Sequence, residues 1–355
     1  MKSLIQKNKA FLERMYRRGE EVKRHGFICL PELISGHEHP DYFFTTSEKP
    51  VENWVPQAVE NYTRQCRMLE AVEDDGIPCA RIATGTHIYA AAFGCDVNCY
   101  PDCPPCALPR VKNAAEADQL EKPDIWKSPT LYRLFEAADL LRKELGPDVF
   151  LGPPDMQSGF DTAALVWDKT DFMCAMADPE EKEAVKRLVG KCAALYKEFL
   201  LAFRKEFPNC VPSHCPPVWC PPDMAPWLSN DECGAMSTEM FEEFCLPELI
   251  DLAETFGGLG MHCCANADHQ LESFKKIPNF YAFNRVAPGQ FYEPLLETYT
   301  DADAPVFVLA WVSDEKMEKL IREANEHTRF IFVKTKTSVD DARAWLDRVA
   351  AVDSL

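Results

Sequence analysis

Residues 227–266 read WLSNDECGAMSTEMFEEFCLPELIDLAETFGGLGMHCCAN. A short apolar segment opens the stretch and runs into the acidic pair Asp231-Glu232. A helix is expected to start near Ser237, with Glu239 in its first turn, where a carboxylate suits the positive end of the helix dipole. Phe241, Phe244, Cys245, Leu249 and Leu252 recur at helical spacing, and Gly257-Gly258 stops the run. A second apolar strand, 259–261, then ends on His262-Cys263-Cys264. Two successive strands therefore finish on residues that can bind metal or move protons, with one helix between them. An α/β barrel places its chemistry in this way, at the carboxyl ends of its strands.

The same alternation continues outward. Downstream, 280–283, 306–309 and 330–333 are apolar runs of strand length, with helical segments near 268–276, 314–325 and 339–350. Upstream, a charged helix over 1–24 leads to a strand at 27–30, and a second helix spans 51–72 until Asp74-Asp75-Gly76 breaks it. Strands are expected at 78–83 and 149–151. Between them a helix carrying Leu131, Leu134, Phe135, Ala138 and Leu141 stops at Gly146-Pro147. Asp178-Pro179-Glu180-Glu181 reads as a helix start, with Asp178 as the N-cap of a helix reaching about residue 207. Residues 31–50 lack periodicity and read as a loop or lid. About eight strands alternating with helices predict an α/β chain folded as a closed (β/α)8 TIM barrel. It is a single domain over 1–355, with an N-terminal helical extension and lid at 1–74 and the barrel body at 75–355.

Composition narrows the function. The chain has 355 residues, 46% hydrophobic and 27% charged, with a formal net charge of −19. That charge repels nucleic acid and anionic membrane surfaces, so neither is expected as a partner. No apolar run is long enough to span a bilayer, and the charged N-terminus lacks a signal-peptide core, which predicts a cytoplasmic protein. In a reducing compartment the 16 cysteines are thiols or metal ligands rather than a disulfide framework.

His262-x-Cys264 is the foremost metal candidate, since an imidazole and a thiolate both suit zinc, and a catalytic zinc needs three protein ligands and an open position. The alternative is a histidine at the barrel lip beside two buried thiols. Asp231 and Glu232 offer an oxygen ligand or a general acid/base, or else cap the following helix. His87 follows a Gly-containing turn at a strand end and is expected to face the mouth. Asp155, Gln157 and Asp161 follow the next strand. Trp227, Asn284 and Trp311 also lie at strand ends and either shape a substrate pocket or stack across the rim. Lys334 and Lys336 are the nearest basic groups. The Pro-rich segment with Cys95, Cys99, Cys103 and Cys106 has the spacing of an iron–sulfur triad at 99, 103 and 106, or is a thiol-rich loop. No nucleophile elbow, P-loop or dinucleotide fingerprint is present.

The segments SNDECGAMSTEMFEEFCLPEL, GMHCC and KIPNFYAFN together resemble the uroporphyrinogen decarboxylase superfamily. The resemblance extends loosely over 75–350 and is specific in 227–284. It implies a (β/α)8 barrel acting on a small-molecule substrate. The arginine-rich N-terminal segment with which true uroporphyrinogen decarboxylases clamp their substrate has no counterpart here. The resemblance therefore points to the branch of cobalamin-dependent methyltransferases, with a corrinoid protein or a small compound as methyl donor. In that branch zinc is bound by H-x-C, matched by His262 and Cys264, and by a later cysteine near the last strand. This chain has no cysteine after Cys264, and the corresponding position falls near Val333-Lys334. Either another group completes the site, such as Glu232 or a cysteine of the 95–106 loop, or the metal is lost. The remaining alternatives are a metal-independent decarboxylase of the parent type, acting on a tetrapyrrole, and a non-catalytic barrel that binds a corrinoid or tetrapyrrole.

Overall fold

The structure, a computed structural model, describes residues 1–19, 24–34, 50–100 and 103–353. Its strands are β1 Gly26–Pro31, β2 Val97–Tyr100, β3 Cys103–Ala107, β4 Trp227–Ser229, β5 Leu259–Cys263, β6 Phe280–Arg285, β7 Val306–Ala310 and β8 Phe330–Lys336. Six of them form one parallel sheet in the order β1-β8-β7-β6-β5-β4, while β2 and β3 pair as a separate antiparallel hairpin. Parallel neighbours require a crossover, and helices supply it throughout. The chain is an α/β fold of the TIM-barrel type, as its alternation predicts.

Two of the expected strands contribute less than a ladder. Segments 78–83 and 149–157 extend the ring through isolated parallel bridges, Ala80↔Leu151, Leu151↔Cys210 and Gln157↔Ser229. Pro78, Pro153 and Pro154 have no backbone N–H to offer, which limits pairing there. The gap between β1 and the segment at Ala80 is spanned mainly by side chains. The Asp75 carboxylate accepts from Phe27 N at 3.0 Å, Asp74 accepts from Cys29 N, and Gln65 bonds both the N–H and the carbonyl of Cys79. The acidic turn that ends the second helix thus satisfies a strand edge that would otherwise be bare.

The parallel strands are buried on both faces. Along β7, Val306, Val308 and Ala310 join one apolar cluster, and Phe307 and Leu309 join the other, packed against helices. The first cluster fills the barrel and includes Trp219, Trp227 and Tyr281. Gly260 on β5 makes room for it: a Cβ there would lie 2.2 Å from the Trp227 ring. The N-terminal helix Lys2–Tyr16 adds Phe11, Leu12, Met15 and Tyr16 to the same cluster. Arg329, just before β8, donates to the Met15, Arg17 and Ala304 carbonyls, so this helix covers the amino ends of the strands. The opposite mouth is left to carry the chemistry.

Three local expectations are corrected. The helix expected from Ser237 is two helices, Thr238–Phe244 and Leu246–Phe256, because Pro247 cannot donate into a continuous ladder. Asp178 is not the cap of the long helix, which runs Lys182–Glu206; its carboxylate accepts from Glu180 N in a separate turn. Strand β5 continues to Cys263, so His262 is a strand residue rather than the start of a loop. Of the expected lid, 35–49 lies outside the described residues. Among the described residues no helix is long and apolar enough to cross a membrane.

Candidate functional site

The site grows from the register of two neighbouring strands. Ser229, the last residue of β4, pairs with His262 on β5, and Asn230 N donates to the His262 carbonyl at 3.0 Å. One residue further, the Asp231 carboxylate accepts from Cys264 N at 2.7 Å. The two chain ends are thereby tied together where they leave the sheet. Donor atoms of Asp231, His262 and Cys264 all lie within 4.8 Å of one another, and this is the one such group of three among the described residues. His262 is buried, Asp231 half-buried and Cys264 exposed, so the cluster opens at the barrel mouth.

Asp161 holds the turn from beneath. It is buried, and its carboxylate accepts from Asp231 N at 2.7 Å and Glu232 N at 3.2 Å. Asp161 in turn sits in the first turn of the helix Gly159–Val166, whose Gly159 and Phe160 amides are capped by the buried Glu248. Neighbouring carboxylates at 231 and 232 and its own burial hold the Asp161 carboxyl well above the ordinary range.

Asn284, near the end of β6, sets the imidazole. Its Nδ2 donates to the Val308 carbonyl, so its Oδ1 is left to face His262 Nδ1 at 2.5 Å. The amide oxygen can only accept, which puts the proton on Nδ1 and leaves the Nε2 lone pair for a ligand. Burial opposes a charged imidazole here, but the thiols of Cys215 and Cys264 and the Asp231 carboxylate outweigh it and raise the His262 pKa.

A barrel with one oriented histidine, a thiol and a carboxylate at adjacent strand ends narrows the families to compare. The sequence model described as uroporphyrinogen decarboxylase (URO-D) matches residues 67–284, more than half of the chain. The chain belongs to the uroporphyrinogen decarboxylase family. Among solved structures, a methyltransferase from Methanosarcina mazei is similar, with a TM-score of 0.63 at 14% identity, covering 97% of each chain. At that identity the likeness shows the shared fold. No curated protein sequence matches the chain.

The other expected site residues of this uroporphyrinogen decarboxylase-like barrel divide into those that reach the mouth and those that do not. Asp155 is near enough to His262, Asp231 and Arg81 to feel their charges, and it accepts from Gln157 Nε2 at 2.6 Å. Its own burial raises its pKa. Trp311 follows β7, is 57% exposed, and has a left-handed backbone with φ +60°. With Pro31, Pro217, Ala310 and Lys334 it lines a cavity of about 450 Å³ at the carboxyl ends of β1, β7 and β8.

Glu232 turns away: its carboxylate pairs with Lys169 at 2.5 Å. Trp227 belongs to the barrel interior, with its indole N–H donated to the Tyr281 hydroxyl at 3.0 Å. His87 is fully buried, neither ring nitrogen has a partner among the described residues, and burial pulls its pKa down to about 4. Facing the mouth would have required a place at a strand end, but His87 directly precedes the helix Ile88–Ala92. Cys95 is also buried, its thiol pushed up to about 11, chiefly by burial. Cys99 and Cys106 lie on the β2–β3 hairpin, and the side chain of Cys103 lies outside the described residues. Among the described residues neither Cys99 nor Cys106 joins a three-donor group.

Sequence reasoning missed His214 and Cys215. They occupy a Pro-rich loop, VPSHCPPVW, with no periodicity to assign it to the mouth. The His214 ring is fully buried, 2.9 Å from Ser229 Oγ, with its centroid 6.1 Å from that of His262. The adjacency of a histidine and a cysteine at 214–215 was the one available signal.

Proposed function

We propose that this family member is a methyltransferase that binds zinc through Asp231, His262 and Cys264 and transfers a methyl group to a small thiol. The observation that carries the reading is the three-donor group at two neighbouring strand ends, with Asn284 engaging His262 Nδ1 and leaving Nε2 as the ring atom that would bind a metal. An imidazole, a thiol and a carboxylate form a donor set suited to zinc, and three protein ligands leave a position for substrate. When bound, the metal would act as a Lewis acid that keeps the substrate thiol as thiolate.

The residues divide the remaining work. Asn284 orients the imidazole, Asp161 fixes the backbone that carries Asp231, and the exposed Cys264 marks the side from which a substrate enters. The neighbouring cavity, about 450 Å³, falls in the size range of small-molecule sites. Transfer forms a carbon–sulfur bond and breaks the donor's bond to the methyl carbon. The donor keeps the bonding pair, and the thiol proton leaves to solvent. We assign the donor to a corrinoid protein or a small methyl compound, in line with the cobalamin-dependent branch and with the methyltransferase of the same fold.

The parent decarboxylation is less well supported. A polycarboxylate substrate needs free cations, yet the described basic groups Arg81, Lys334 and Lys336 are engaged. Arg81 donates to the His214 carbonyl, Lys334 pairs with Asp314 at 3.0 Å, and Lys336 pairs with Asp341 at 3.1 Å. Protein purified without chelator should carry about one zinc per chain, held more weakly in Cys264→Ser, and should methylate a small thiol from methylcobalamin. Turnover by metal-free protein would overturn the zinc assignment. A zinc-loaded chain that decarboxylates but never transfers methyl would overturn the reaction.

A further inference from the structure

The sequence leaves the site one thiolate short, since no cysteine follows Cys264. Among the described residues, neither expected substitute joins the three-donor group. Glu232 is held by Lys169, and the described cysteines of the hairpin segment form no three-donor group. The last-strand position offers no ligand either, because Lys334 there bonds the Val312 carbonyl and Asp314.

One thiol does reach the imidazole. Cys215 is half-buried and directly follows His214, whose ring centroid lies 6.1 Å from that of His262, and its thiol is near enough to the imidazole to help raise its pKa. Its loop is anchored on both sides of that contact. His214 is fastened to Ser229, the residue paired with His262, and its carbonyl accepts from Arg81. Pro216 and Pro217, which follow Cys215 in the chain, line the mouth cavity. The other buried cysteines near the barrel centre are engaged elsewhere: Cys233 lies 3.8 Å from Cys263, Cys220 contacts Tyr281, and Cys210 contacts the Val211 carbonyl. The His214 Nδ1, buried beside this loop, has no partner among the described residues, which leaves polar capacity unused next to Cys215.

We propose that Cys215 is the second thiolate of the metal site, supplied by the loop before β4 in place of a cysteine on the last strand. This rests on the zinc reading above and adds a ligand to it. Cys215 lies outside the tight trio, so it closes onto the metal by movement of its own side chain, while Asp231, His262 and Cys264 are already gathered. Two thiolates make a site more electron-rich, and softer, than one.

The test counts sulfur directly. Full-length protein loaded with zinc is examined by X-ray absorption at the zinc edge, alongside Cys215→Ser, Cys215→Ala and Cys264→Ser, with Cys174→Ser as an exposed control. Two sulfur ligands are expected in the wild type and the control, and one in each of the other variants, with tighter zinc retention in the wild type. One sulfur in the wild type, unchanged by either Cys215 substitution but lost in Cys264→Ser, overturns this inference and leaves the proposed function standing. No bound zinc in the folded wild type overturns both. Because the wild-type count alone discriminates, a variant that fails to fold does not remove the test.

Discussion

His262 Nδ1 lies 2.5 Å from Asn284 Oδ1, and Asn284 Nδ2 donates to the Val308 carbonyl. The chain β7–β6–β5 thereby fixes the tautomer of a histidine at the mouth. An outer partner of a ligating histidine typically changes metal affinity by about 10–100-fold. Asn284→Ala should weaken zinc binding by that order, measured by competition with a chromophoric chelator. Its effect on folding should be about 1–3 kcal/mol, since the Val308 carbonyl loses a buried donor. Unchanged affinity would show that Asn284 serves packing alone.

Asp231 and Glu232 are neighbours in sequence with opposite fates. Asp231 belongs to the three-donor group, whereas Glu232 pairs with a half-exposed Lys169. Asp231→Asn should lower the zinc content and the activity together. Glu232→Gln should leave both near wild type and cost less than about 1 kcal/mol of stability, because exposed ion pairs contribute little. Metal analysis and urea unfolding of the two variants check the contrast, and a metal-poor Glu232→Gln protein would reverse the assignment.

Removing Asp161 should loosen the turn that carries Asp231. Asp161→Ala leaves two buried amides, those of Asp231 and Glu232, without an acceptor. The loss should be about 2–6 kcal/mol, at 1–3 kcal/mol for each orphaned group. Asp161→Asn retains one acceptor oxygen and should fall between. Chemical denaturation measures both, and equal stability of Asp161→Ala and wild type would refute the role.

The stability of the helix beneath the site should depend on pH through Glu248. Burial pushes its carboxyl up to about 8 from an ordinary value of 4.5, against the pull of the Phe160 and Gly159 amides. Folding therefore takes up a proton between these values, and the stabilisation from that proton is complete below pH 4.5 and is lost as pH rises through about 8. Glu248→Gln cannot titrate. The stability difference, wild type minus variant, should fall steadily from pH 5 to 9, and a flat difference would exclude this group as the source.

The residues that announce the candidate site do so because each lies at, or within two residues of, the carboxyl end of a strand. Apolar runs at 227–229 and 259–263 commit local backbone to strands, and whatever follows a barrel strand is delivered to the mouth. Asp231, His262 and Cys264 were legible for that reason, as was the alternation that defines the α/β fold. A charged N-terminal helix was legible over 1–24, although the helix ends at Tyr16 and its place under the barrel was not legible.

Other features needed the third dimension. Glu232 looks as capable as Asp231 until Lys169, 63 positions away, claims its carboxylate. Trp227 and His87 stand at the ends of apolar segments, but the packing of Tyr281 and Gly260 around one and the burial of the other decide their orientation. Cys215 sits in a Pro-rich loop whose sequence has no period, and only the anchoring of His214 on Ser229 and Arg81 brings it to His262. The sequence by itself determined which backbone becomes strand and helix, because those choices rest on spacing a few residues long. Which thiol, carboxylate or ring completes the site was decided by tertiary structure, because those partners are tens of residues apart and meet only through packing of the barrel.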